Sequence, residues 1–213
     1  MNPHTLGQLN TLQLGRVIDN DDPEQRGRIK VQLHSVQVAL WASVVAPSAG
    51  QNYGVSALPK LEETVVIGFL NPDTPLVLGS LWCGNASTPE DITSHEEQYV
   101  IRTPAGTVVE FNDEQGPKVE MRTRSGYRVT VTEDGGGEIQ LERGGQSVTL
   151  SPSSIDINAS GPVNINASQV SVSASMVQVD AGISRFSGVV QADTVIATSV
   201  VGTTYTPGAG NVW

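Results

Sequence analysis

Residues 155–180, IDINASGPVNINASQVSVSASMVQVD, decide the fold predicted for this chain. They hold four pairs of β-branched residues, and one polar residue separates the two members of each pair. The pairs are Ile155/Ile157, Val163/Ile165, Val170/Val172 and Val177/Val179, and their first residues lie 8, 7 and 7 residues apart. Alternation within a pair predicts a very short strand with one apolar face, and recurrence at a nearly fixed step predicts a repeat. The segment therefore predicts a stack of short strands, which makes a rod.

Similar pairs lie upstream at steps of 10, 10 and 9 residues, starting from Val119/Met121. A strand that buries only one or two side chains is not stable alone, and its edges must be covered. Three identical chains wound about one axis meet both needs, whereas a single-chain solenoid usually needs longer coils. We therefore expect an intertwined homotrimer, with the single-chain solenoid as the alternative. The side chains expected to pack at the axis are Val129, Val131, Ile139, Leu141, Val148, Leu150, Ile155, Ile157, Val163, Ile165, Val170, Val172, Val177 and Val179.

The N-terminal third also predicts strands. Apolar runs with strand alternation occupy residues 14–18, 28–33, 41–45, 64–70 and 76–82, and polar or Gly/Pro-containing loops separate them. Short strands with no helical period favour a small antiparallel barrel. The chain is thus predicted to be all-β. Its expected parts are a leader (1–12), a barrel (13–83), a polar linker (84–98), a β-helix (99–185) and a C-terminal tip region (186–213).

Composition excludes several classes of protein. The formal net charge of −10 argues against binding along a phosphate backbone, so we expect no nucleic-acid partner. Cys83 is the single cysteine, which excludes an intrachain disulfide framework. The N-terminus lacks the pattern of a secretory signal peptide, and no apolar run approaches the ~18 residues of a membrane helix.

The residues that could carry chemistry favour no enzyme. The loop acids Asp19, Asp21, Asp22 and Glu24 lack the glycine and distal glutamate of a helix-loop-helix calcium site, so a solvated loop is expected. His34 has no second ligand at metal-binding spacing. Adjacent acid pairs would point to opposite faces of a strand, which does not suit paired-carboxylate hydrolysis. These pairs are Glu62/Glu63, Glu96/Glu97 and Glu133/Asp134.

Three segments resemble one family. They are RGRIKVQL (26–33), WASVVAPSAG (41–50) and YGVSALPKLEETVVIGFLNPDTPLVLGSLW (53–82). They look like the OB-fold signature of contractile-tail central spikes, the family of phage baseplate assembly protein V, the T4-type spike and the VgrG proteins of type VI secretion. Residues 103–127 resemble the family's entry into the triple-stranded β-helix, so the resemblance covers about residues 12–213.

The resemblance implies a minimal phage or tailocin spike. Such a spike is a homotrimer that binds tail hub or tube proteins, closes the tail tube and punctures the bacterial outer membrane when the sheath contracts. It acts in the virion or tailocin particle, at the baseplate, after assembly in the host cytoplasm, and it is not an enzyme. Two alternatives remain open: a tailspike depolymerase and a receptor-binding trimeric fibre.

The tip departs from the family pattern. Many minimal spikes carry a His-x-His motif that binds iron on the axis near the C-terminus, but the histidines here are His4, His34 and His95. We therefore expect no metal and no cofactor. The resemblance leaves two kinds of tip: one closed by apolar packing, or a blunt one capped by a separate PAAR-like protein. The residues expected to close the tip are Val200, Val201, Tyr205 and Trp213.

Overall fold

The structure is a computed structural model that describes residues 12–85, 87–94 and 96–204. Apart from Leu12, the predicted leader lies outside the described residues, as do His4, His95, Tyr205 and Trp213. Within the described part every regular element is a strand except one 3₁₀ turn, Asp134–Gly136, and the predicted all-β class is confirmed. None of the described residues forms a helix long and apolar enough to cross a membrane.

The N-terminal part is a closed five-stranded barrel. Its strands, numbered along the chain, are β1 (Gln13–Asp19), β2 (Arg28–Leu33), β3 (Ala39–Val44), β6 (Thr64–Phe69) and β7 (Pro75–Leu81). Around the barrel the order is β1-β2-β3-β7-β6, with β3 and β7 parallel and the other pairs antiparallel. The short strands β4 (Ala49–Gly50) and β5 (Tyr53–Gly54) form a separate hairpin. The predicted barrel is thereby confirmed, although β7 pairs with β3 in parallel.

Apolar side chains that alternate with polar ones along the strands fill the barrel interior. Along β2 every second residue is buried, and the same alternation places residues of the other strands inside. The side chains with no exposed surface are Val17, Ile29, Val31, Ala42, Val65, Ile67 and Val77. These side chains form one contiguous core, and their burial is the main force that holds the barrel together.

The middle of the chain is a seven-stranded antiparallel meander. Its strands are β8 (Gln98–Arg102), β9 (Val108–Asn112), β10 (Lys118–Arg122), β11 (Tyr127–Thr132), β12 (Glu138–Arg143), β13 (Gln146–Leu150) and β14 (Ile155–Asn158). Each strand pairs with the next in sequence, so β8 and β14 are the edges. Tight turns join the strands; the β12–β13 turn contains Gly144 at φ 58°, a conformation that glycine adopts without steric cost.

Residues 159–204 contain no strand, and all of them are exposed. Contacts divide the chain at Val163/Asn164, and the second unit begins at Asn164. The predicted pairs from Val163/Ile165 to Val177/Val179 lie in this segment; Val172, for example, is 70% exposed. The structure describes a single chain, so the predicted triple-stranded β-helix stays a prediction.

Candidate functional site: the two faces of the seven-stranded sheet

One face of the seven-stranded sheet is apolar from edge to edge. Register aligns side chains of successive strands into two rows, and each row has one residue per strand. The first row is Ile101, Val109, Met121, Val129, Leu141, Val148 and Ile157. The second row is Tyr99, Phe111, Val119, Val131, Ile139, Leu150 and Ile155. With strands about 4.8 Å apart, each row is roughly 29 Å long.

Within a single chain this face is open. Ten of the fourteen row side chains are exposed, up to 71% at Ile155, and the other four, Val109, Val119, Val129 and Val148, are partly buried. Part of the face is a shallow groove of about 640 Å³ in which Val129, Leu141 and Val148 take part. Apolar rows this long on a soluble monomer are unusual and mark an interaction surface.

A stacked pair borders the apolar rows. The Arg143 guanidinium lies over the Tyr127 ring at 4.3 Å from its centroid. Of the strand residues on this face, only Arg143 carries a formal charge. The rest of the face therefore requires no charged partner on the surface that covers it.

The opposite face is polar, and one end of it is covered by the chain itself. Residues 89–94, which we call the strap, lie against β8, β9 and β10. The Gln98 side-chain oxygen accepts hydrogen bonds from the backbone N–H groups of Thr93 (2.7 Å) and Ser94 (2.9 Å). The Gln98 amide nitrogen donates to Glu110 at 3.1 Å. As a result Gln98 and Glu110 are buried polar groups with satisfied hydrogen bonds.

Two arginines join the strap to the strands. Arg122 of β10 pairs with Asp91 (2.6 Å), Glu110 (2.9 Å) and Glu120 (2.6 Å). Arg102 of β8 pairs with Asp91 and, at 2.7 Å, with Glu90. Asp91 thus bridges β8 and β10, which lie on either side of β9.

The two arginines also fix the charge states of the acids. Burial acts to raise the pKa of Asp91, but hydrogen bonds from Arg102 and Arg122 outweigh it and hold that pKa below its usual value. The pKa of Glu110 is likewise lowered, since the opposing effect of burial is outweighed mainly by the hydrogen bond from Arg122. Both carboxylates therefore stay ionised at neutral pH.

The acidic loop of the barrel is not a fully solvated loop. Asp22 is only 8% exposed. Its carboxylate accepts hydrogen bonds from the Arg28 side chain at 2.8 and 3.1 Å and from the backbone N–H groups of Glu24, Arg26 and Arg28. The expectation of a solvated loop is wrong at Asp22, because an arginine six residues away turns back to pair with it. The described residues contain no cluster of three metal-binding side chains.

The adjacent acid pairs also lie elsewhere than expected. None of Glu62/Glu63, Glu96/Glu97 and Glu133/Asp134 is on a strand. Glu62, Glu96 and Glu97 lie in turns, Asp134 begins the 3₁₀ turn, and Glu63 and Glu133 directly adjoin these positions. The first two pairs directly precede a strand and the third lies between two strands, positions that strand alternation in the sequence did not reveal. His34 is exposed just after β2.

The sheet brings together eight of the predicted axis residues. Val129, Leu141, Val148 and Ile157 share the first apolar row, and Val131, Ile139, Leu150 and Ile155 share the second. The other six, from Val163 to Val179, lie in the segment without strands, as do the tip residues Val200 and Val201. The strap and its arginines were missed, because only the register shows that Arg102 and Arg122 flank Val108.

Comparison with known proteins shows what the barrel and part of the rest of the chain are similar to. The family model described as "Type VI secretion system/phage-baseplate injector OB domain" matches residues 13–82, the barrel. The chain is 28% identical over 110 residues to the type VI secretion system spike protein VgrG5 of Pseudomonas aeruginosa, covering 47% of this chain and 14% of that protein.

Two further relatives are similar to a comparable share of the chain. The actin cross-linking toxin VgrG1 of Vibrio cholerae is 27% identical over 99 residues, 42% of this chain and 9% of its own length. The spike protein VgrG1a of Pseudomonas aeruginosa is 26% identical over 102 residues, 42% of this chain and 16% of its own length. The chain thus matches less than a fifth of each of these relatives. Residues 13–82 thus match an injector OB domain, and over less than half of its length the chain is similar to VgrG spike proteins.

Proposed function

We propose that the chain is the homotrimeric central spike of a contractile tail, a needle that closes the tail tube and punctures the bacterial outer membrane. The observation that carries the proposal is the pair of unbroken apolar rows across the seven-stranded sheet. They lie open in one chain, while the opposite face is polar and partly covered. Two further copies are the occupants that would cover the rows, because three such faces turned toward one axis enclose each other.

The energetics favour this occupant. Removing one half-exposed Val, Leu or Ile side chain from water contributes about 1 kcal/mol, and the two rows contain fourteen side chains in each chain. Residues 159–204 add exposed valines and isoleucines whose backbone forms no strand in one chain. Pairing with two other copies would give those backbone groups partners, as buried backbone requires.

The parts of the chain have distinct roles in this proposal. The barrel (13–83) forms the collar that attaches to tail hub or tube proteins. Residues 99–185 form the triple-stranded β-helix, and residues 186–213 form the tip. The tip carries no iron, and it is closed by its own apolar residues or capped by a PAAR-like protein.

The work of the spike is mechanical, and no bond is made or broken. A narrow trimer held by many small contacts unfolds slowly, which suits a part that must withstand force. Its charge would be 3 × (−10) = −30, so electrostatic attraction to an anionic surface would not drive entry. Sheath contraction supplies the force instead.

The first experiment is light scattering on the full-length chain, combined with SDS electrophoresis of unboiled samples. We expect three times the mass of one chain and a band that resists SDS until it is boiled. A monomer would overturn the trimer and would favour the alternative, in which the C-terminal segment is a single-chain solenoid.

Location in the particle separates the spike from its alternatives. An epitope tag on the chain, detected by gold labelling in electron micrographs, should mark the tip of the tail tube. Labelling of the peripheral fibres would instead support the receptor-binding fibre. Release of reducing ends from capsule or lipopolysaccharide by the purified chain would support the depolymerase.

A further inference from the structure

We propose that the strap, residues 89–94, is a clamp that fixes the segment leaving the barrel onto the outer face of β8–β10, so that load on the barrel passes into the sheet. The clamp is a property of one chain; its mechanical role rests on the proposed spike function.

Length explains why a clamp is needed. The last barrel strand ends at Leu81 and the sheet begins at Gln98. A flexible tether over residues 82–97 would have a root-mean-square span of about 22 Å and would resist compression poorly. Attaching residues 89–94 to the sheet shortens the stretch of chain between the barrel and its first attachment to residues 82–88.

The strap is held by two sets of contacts. The first is neutral: the backbone N–H groups of Thr93 and Ser94 and the Thr93 hydroxyl all donate to the Gln98 side-chain oxygen, at 2.7, 2.9 and 3.1 Å. The second is ionic: Asp91 bridges Arg102 and Arg122, and Glu90 pairs with Arg102. The two arginines are on different strands. Sliding the strap along the sheet would therefore move Asp91 away from both of them at once.

Burial shows that this end of the polar face is shielded from solvent. Val108, whose neighbours across the strands are Arg102 and Arg122, is only 2% exposed, although it lies on the polar face. Glu110 beneath the strap is 5% exposed. No buried side-chain polar atom among the described residues lacks a hydrogen-bond partner. A strap that left the sheet would expose Val108 and free Asp91, so the attached state is favoured.

Hydrogen exchange of the full-length chain tests the clamp directly. The amides of Thr93 and Ser94 should be protected in the wild type, because both donate to Gln98. Asp91→Asn removes the charge that bridges the two arginines and leaves the sheet residues intact, so exchange at these two amides should accelerate about tenfold or more. Arg122→Gln should act in the same direction. Arg124→Gln is the control, since the structure gives Arg124 no ion pair among the described residues although it lies near the strap.

Proteolysis gives a second measurement. Glutamyl endopeptidase should cut after Glu90 faster in Asp91→Asn than in the wild type, whereas cleavage after Glu62 in the barrel should be unchanged. A nitroxide on Cys83, which is exposed and lies between the last barrel strand and the strap, should become more mobile in the same variant. Wild-type exchange as fast as in an unstructured peptide, or no effect of Asp91→Asn on exchange and cleavage, would overturn the clamp.

Mass measurement on the same samples separates the two proposals. A trimer without protection of Thr93 and Ser94 leaves the spike standing and removes the clamp. A monomer with full protection removes the trimer and leaves the clamp as a property of the single chain.

Discussion

Asp22 sets the shape of the β1–β2 loop by accepting five hydrogen bonds, two from Glu24 and Arg26 of the loop and three from Arg28 at the start of β2. The largest effect on its pKa is the hydrogen bond from the Arg28 side chain, which lowers that pKa well below its usual range. Arg28 also lies 5.7 Å from the centre of the Trp41 ring on β3. One carboxylate thereby joins the loop to the neighbouring strand.

Replacing Asp22 with Asn should therefore lower the melting temperature of the barrel. Since the folded-state pKa lies below the unfolded value, the stabilisation by Asp22 is fully present above the unfolded pKa and is lost as pH falls through the folded one. The difference in melting temperature between wild type and Asp22→Asn should thus be largest near pH 7 and shrink in strong acid. Calorimetry from pH 7 to pH 2 measures it. Asp21→Asn, an exposed neighbour, is the control; an equal drop for both variants would show that loop charge alone is responsible.

Gly15 on β1 permits close packing inside the barrel. A Cβ at this position would lie 2.3 Å from the Val31 side chain, which has no exposed surface and cannot move aside. Gly15→Ala should lower the free energy of unfolding by about 1–3 kcal/mol, as overpacking of a dense core does. Urea denaturation measures the loss. Gly79→Ala on β7 has open space around the new methyl group and should change the free energy little; equal losses would mean that strand glycine matters only for its backbone.

At the scale of the strand, the two faces of β12 are expected to tolerate a new charge differently. Leu141 lies in the first apolar row, and its neighbour Gln140 points to the polar face. Leu141→Asp should abolish the trimer, because three buried carboxylates would each cost several kcal/mol of desolvation. Gln140→Asp should leave the trimer intact. Light scattering of both variants decides; loss of the trimer in both would mean that the polar face also lies at an interface.

Strands with strict alternation were predicted well from the sequence. The prediction for β2 matches Arg28–Leu33, since every second residue there is apolar and faces the core. The first six axis positions, from Val129 to Leu150, share one face for the same reason. Alternation specifies a face locally, so one chain is enough to reveal it.

Contacts between distant residues could not be predicted in the same way. The strap was interpreted only as a polar linker, because Asp91 and Arg122 are 31 residues apart and meet only once β8–β10 are in register. The segment from Val163 onward is the opposite case. Its repeat is evident in the sequence, but a strand of two apolar residues needs partners that a single chain does not supply.

For the whole molecule, the repeat itself can be tested by changing its length. Deleting residues 170–176 removes one seven-residue step and brings Val177/Val179 to the place of Val170/Val172, with the distance from Ile165 unchanged. If three chains stack these pairs about one axis, this deletion should give a shorter trimer that still resists SDS.

Deleting Ser171 alone is the matched control. It makes Val170 and Val172 adjacent, and adjacent residues of a strand point to opposite faces, so one of the two valines leaves the axis. The smaller deletion should then lower the unfolding temperature of the trimer more than the larger one. The opposite order would show that the length of the segment, and not the phase of its repeat, holds the needle together.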